Sequence, residues 1–179
     1  PSMSLDTTKQ QLAVSAAQFT SAGVKPQNED SMAIKIPQGS LLNRKGIVVA
    51  IADGVSAAEA GKEASDIAVT GFINDYYSTP DSWSVKQSAH KVLTALNRWL
   101  YGQGQRFLEA EKGYVTTFSC VILKSRSAYI FHVGDSRVWR FREGILEQLT
   151  RDHTARISSS QNYLARALGI DLNLDVDLK

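Results

Sequence analysis

The order of apolar and polar positions divides the chain into three stretches. In the first, Leu12 to Phe19, Ser31 to Ile36 and Gly46 to Ala52 read as strands, with Pro37-Gln38-Gly39 marking a turn between the last two. The period then lengthens. Ala60, Ala64, Ile67, Ala68, Gly71 and Phe72 recur at helical spacing, with Lys62, Glu63 and Asp66 opposite them. Ser56-Ala57-Ala58-Glu59 has the form of a capping box, which would start this helix directly after Asp53-Gly54. Beyond Ser78-Thr79-Pro80-Asp81, a second helix carries the stripe Val85, Ala89, Val92, Leu93, Leu96, Trp99 and Leu100, expected in the core with Trp99 included, and Gly102 and Gly104 close it. Strands return as Thr116–Leu123, Ala128–Val133, Arg137–Phe141 and Ile145–Leu149, joined by tight turns into an antiparallel meander. Strands, two helices and strands again predict an α+β domain with helices packed on sheet.

At 179 residues the chain is read as a single domain, 1–179, large enough to bury a core. The net charge of +2 comes without a basic run, which argues against nucleic-acid binding. No stretch has the length and apolarity of a membrane span, and no signal peptide is apparent. The lone Cys120 lies in an apolar strand and reads as a core residue; with no second cysteine for a disulfide, a reducing cytoplasm is expected. Pro1-Ser2 ahead of Met3 looks like an expression remnant.

Chemistry concentrates at strand ends. The apolar run Gly46–Ala52 delivers Asp53 to its tip beside Gly54, Asn28-Glu29-Asp30 precedes another strand, and His132-Val133-Gly134-Asp135 ends a third. Carboxylates gathered beside open backbone suit Mg²⁺ or Mn²⁺, hard ions that take oxygen ligands and retain water. The competing reading is local, since Asp and Gly also form turns for their own sake. Metal-dependent hydrolysis is the leading expectation.

Asn28-Glu29-Asp30-Ser31, Ala52-Asp53-Gly54, Thr116-Thr117, Val133-Gly134-Asp135-Ser136-Arg137, Leu149-Thr150-Arg151-Asp152-His153 and Ala165-Arg166-Ala167-Leu168-Gly169 occur in the order found in metal-dependent protein phosphatases. The chain therefore resembles bacterial members of the PP2C (PPM) family from about Ala17 to Gly169. The resemblance implies a β-sandwich flanked by helices and a water activated between two Mg²⁺ or Mn²⁺ ions. It also implies phosphoserine and phosphothreonine proteins as substrates, with a serine/threonine kinase as an expected partner. Asp53 resembles the bridging carboxylate, Gly54 the residue giving its carbonyl, and Glu29 the acid reaching the same ion. Asp30 resembles a supporting acid, and Asp135 a ligand of a third, weaker ion. Asp53 and Glu29 are thus the expected catalytic centre.

Several positions depart from the family pattern. Lys25 stands where an arginine commonly grips the substrate phosphate, offering a point charge in place of a planar fork; a surface lysine without a role is the alternative. Val55 follows the DG, where some members carry a histidine suited to general-acid work. The interval from His153 to Ala165 is short, and Ser158-Ser159-Ser160-Gln161 reads as a trimmed polar connection. His153 is expected to order a turn, His132 to be structural, and His90 to sit on a helix without a partner. Two later aspartates of the family's metal centre have no counterpart, and Asp171, Asp175 and Asp177 do not lie in matching motifs. The expectation is a fragment lacking its C-terminal part. A non-catalytic, phosphatase-like module binding a phosphoprotein or kinase is the alternative function.

Overall fold

The computed structural model describes residues 11–55, 60–105, 113–158 and 161–179. Among these residues twelve elements follow in order. They are β1 (Asp30–Lys35), α1 (Ser40–Lys45), β2 (Ile47–Asp53), α2 (Gly61–Tyr77), α3 (Val85–Gly104), β3 (Phe118–Lys124), β4 (Ser127–Val133), β5 (Trp139–Arg142), β6 (Ile145–Gln148), β7 (Thr154–Ser158), β8 (Gln161–Leu164) and β9 (Asp177–Leu178). The α+β class with antiparallel sheets and helices holds as expected. β1, β2, β3, β4 and β9 form one five-stranded sheet in that order, and β5–β6 and β7–β8 form separate two-stranded ribbons.

Period-two alternation sorts the central strands between two faces. One face presents Val48, Ala50 and Ala52 from β2, Phe118, Cys120 and Ile122 from β3, and Phe131 and Val133 from β4. The buried stripes of α2 (Ala64, Ala68, Phe72) and α3 (Ala89, Leu93, Leu100) cover it. Phe72 meets Phe118 at 5.0 Å between ring centroids with the ring planes tilted by 49°, which avoids a face-to-face sandwich. Cys120 lies within this layer, where burial pushes its thiol pKa up, so the core reading stands. Among the described residues no helix is long and apolar enough to cross a membrane.

Four local expectations are corrected. Leu12–Phe19 forms no strand: among the described residues no strand pairs with it, and Phe19 is 85% exposed. Residues 40–45 form α1, which was not predicted. It has no side-chain N-cap and holds through tertiary bonds, with Lys45 Nζ donating to the Thr79 carbonyl and hydroxyl at 2.7 Å each. Trp99 is 46% exposed, lying edge-on to Tyr114 instead of inside the core. The meander breaks after β4, whose outer neighbour is β9, while β5 and β6 pair only with each other. Of the polar connection, Ser158 ends β7 opposite Gln161 at the start of β8, and Ser159 and Ser160 lie outside the described residues. The proposed capping box, Ser56–Glu59, also lies outside them, and α2 begins at Gly61 with Ala60 as an N-cap lacking a side-chain bond.

Candidate active site

Antiparallel register builds the centre of the site. Asp30 stands directly opposite Asp53 across β1 and β2, so both side chains leave the sheet on the same face. The Asn28 side chain accepts the Asp30 amide at 3.0 Å, an Asx turn that steers the chain into β1. Burial, then the hydrogen bond and charge of Asp30, push the Asp53 carboxyl up to about 6; Lys25 pulls it down and Asp135 adds to the rise. Burial and the adjacent carboxyl make ionising Asp53 costly unless a cation lies beside it. A cleft of about 210 Å³ lies beside them, lined by Asp30, Ser31, Met32, Asp53, Ser136 and Arg137 among others.

Gly54 is required by close packing. A Cβ there would lie 2.1 Å from the Gly61 carbonyl oxygen at the start of α2, and the Gly54 amide donates to the Glu29 carbonyl at 3.1 Å. Glu29 is one residue from Asp30 and turns its carboxylate the other way. Its Oε1 would lie 3.1 Å from a Cβ on Gly61, in a hollow shared with Lys62, Glu63 and Asp66. The structure thus brings Asp53 together with Asp30, with Asp135 and Lys25 near enough to act through charge, and sets Glu29 apart.

Neighbouring residues fix the turns. Arg137 grips Asp152 with two bonds, Nε at 3.0 Å and Nη2 at 2.8 Å. His153 is buried: Nδ1 accepts the Gly134 amide at 3.0 Å and Nε2 faces Asp177 Oδ2 at 2.7 Å. These partners assign a neutral imidazole protonated at Nε2, and the turn-ordering role expected of His153 holds. His132 is likewise satisfied, between the Ser119 hydroxyl at 2.8 Å and the Arg151 carbonyl at 2.9 Å, and burial lowers its pKa. His90 is exposed on α3. Asp177 is paired with His153 and Arg166. Thr117 was known only as part of a motif. Its side chain accepts the Asp53 amide at 3.0 Å and meets the Ser136 hydroxyl at 2.8 Å.

Among the described residues no three His, Cys, Asp or Glu side chains converge closely enough to hold a metal ion. The donors present still suit part of such a centre. Asp53 and Asp30 are hard oxygen donors crowded against each other, and a divalent cation would relieve that crowding.

A family model described as Protein phosphatase 2C matches residues 25–167. A putative protein phosphatase 2C-type protein of Streptococcus pyogenes is 33% identical over 115 residues, covering 63% of this chain and 46% of the relative. The serine/threonine phosphatase stp of Listeria monocytogenes is 29% identical over 150 residues, covering 73% of this chain and 58% of its own. The chain therefore spans about half the length of the curated relatives it matches. The Streptococcus agalactiae serine/threonine phosphatase superposes with a TM-score of 0.71 at 24% identity, over 87% of this chain and 68% of that one. Stp1 from Staphylococcus aureus gives 0.70 at 22%, over 87% and 65%. These likenesses establish the fold, and the match of the family model across 25–167 places the chain in the protein phosphatase 2C family.

Proposed function

We propose that the protein to which this chain belongs hydrolyses phosphoserine and phosphothreonine esters in proteins, with Mg²⁺ or Mn²⁺ held at Asp53. The observation carrying this reading is the Asp30–Asp53 pair, a half-buried carboxyl raised to about 6 beside a second carboxyl and an open cleft. A phosphate dianion would be repelled by this group unless cations neutralised it. Asp53 would hold the metal with Asp30 beside it, the Gly54 carbonyl would join them, and Glu29, set in the neighbouring hollow, would reach the ion through water. Asp135 would serve a third ion. Such ions supply Lewis acidity and water of lowered pKa at neutral pH. Lys25 would attract the substrate phosphate as a point charge.

The relatives named serine/threonine phosphatases support the substrate class. A cytoplasmic site of action and a serine/threonine kinase as functional partner belong to the same proposal. One observation favours a second reading, a non-catalytic module that binds a phosphoprotein or kinase: three metal-capable side chains do not converge among the described residues. Hydrolysis of a phosphothreonine peptide by the full-length protein, followed against Mn²⁺, separates the two. Saturable turnover that Asp53→Asn removes supports the enzyme. Peptide binding without turnover at any Mn²⁺ concentration supports the module.

A further inference from the structure

Three separate features meet at one buried side chain. Thr117 is 2% exposed and lies just before β3. It clamps Asp53 from both sides of the backbone: its amide donates to the Asp53 carbonyl at 2.9 Å, and its hydroxyl accepts the Asp53 amide at 3.0 Å. The same hydroxyl is paired with the Ser136 hydroxyl at 2.8 Å, next to Asp135. Gly134, at φ +115°, leans against the other side of this residue, and a Cβ there would lie 2.6 Å from both Thr117 Cβ and Cγ2. Hydroxyl and methyl therefore have different tasks. The hydroxyl joins two turns by hydrogen bonds, while the methyl fills the space that Gly134 leaves open.

We propose that Thr117 is a positioning residue that locks the Asp53-Gly54 turn to the Gly134–Ser136 turn, fixing Asp53 relative to Asp135 for a divalent cation. The purpose assigned to this lock rests on the metal reading of Asp53, whereas the lock itself is independent of it. Valine at 117 would keep the bulk and remove the acceptor, leaving the Asp53 amide without its side-chain partner; serine would keep the acceptor and lose the methyl.

The test uses the chain ending at Lys179 and has two parts. In metal-free chain, Ser136→Ala should shift the Asp53 amide resonance, and should no longer do so once Thr117→Val is present. An Asp53 resonance indifferent to Ser136→Ala in the otherwise unmodified chain overturns the lock whatever the chain does with metal, and that arm needs no Thr117 variant to fold. In calorimetry with Mn²⁺, Thr117→Val should bind about 10-fold more weakly, and Thr117→Ser within about 3-fold of the unmodified chain. Equal affinity in Thr117→Val, or an equal loss in both variants, overturns the role of the hydroxyl. An unmodified chain that takes up no Mn²⁺ overturns the metal purpose, and the resonance result then decides the lock alone.

Discussion

Replacing Asp53 by asparagine should stabilise the metal-free protein, and the gain should depend on pH. Asparagine can donate from its amide to Asp30, as the protonated Asp53 carboxyl does, without adding a charge. Because the folded carboxyl sits near 6 against an ordinary 3.8, the native state holds more protons than the unfolded chain between these values. Stability then falls as pH rises through that window, and the full penalty is present above about 6. At face value the displacement is about 3 kcal/mol. The site is half-buried and solvent screens it, so about 1–1.5 kcal/mol is the expected gain for Asp53→Asn at pH 8. For a chain of this length that is roughly 2–6 °C in Tm. Thermal unfolding in a chelator at pH 8 and at about pH 3, below the unfolded value, measures it, with the gain nearly gone at the lower pH. An Asp53→Asn chain no more stable at pH 8, or one equally favoured at both pH values, would refute the reasoning.

Three further outcomes follow from packing and hydrogen bonds. Gly54→Ala forces a methyl to 2.1 Å from the Gly61 backbone oxygen and should lower Tm by at least about 6 °C, read by circular dichroism. Asn97 is buried, accepts the Gly169 amide at 2.8 Å and donates to the Asp171 carbonyl at 2.8 Å; Asn97→Ala should cost about 2–3 kcal/mol in urea unfolding. For Asp177, burial opposes ionisation, but the His153 hydrogen bond and Arg166 outweigh it and hold the carboxyl below its usual 3.8. Its contribution is present above that value and is lost as pH falls through the lowered one. Asp177→Asn should therefore destabilise by about 0.5–1 kcal/mol at pH 7, and the difference should shrink at strongly acidic pH.

Elements with a strong period could be read directly. The apolar run before Asp53 reads as a buried strand and is one, and the stripe from Val85 to Leu100 faces the core at every position but Trp99. What escaped depends on distant partners. α1 carries no cap signal and exists because Lys45 reaches the carbonyl of Thr79, 34 residues away. Leu12–Phe19 has strand-like residues but no strand to pair with, and propensity without a ladder gives nothing. β5 and β6 match the period of a sheet strand, yet period does not say which neighbour a strand joins. At the site, motif order located Asp53, Asp30 and Asp135. The pairing of Asp30 with Asp53 follows from register, which the turn and α1 between them set. Thr117 needed the fold, since its role arises from residues 53, 134 and 136 meeting around it.

The central claim is that Asp53 holds a divalent cation. Mn²⁺ added to isotopically labelled chain ending at Lys179 tests it through paramagnetic broadening of amide resonances. The account predicts that Asp30, Asp53 and Gly54 broaden first, at Mn²⁺ well below the protein concentration, and that Asp53→Asn abolishes the selectivity. Uniform broadening, or the same pattern in the Asp53→Asn chain, would contradict it.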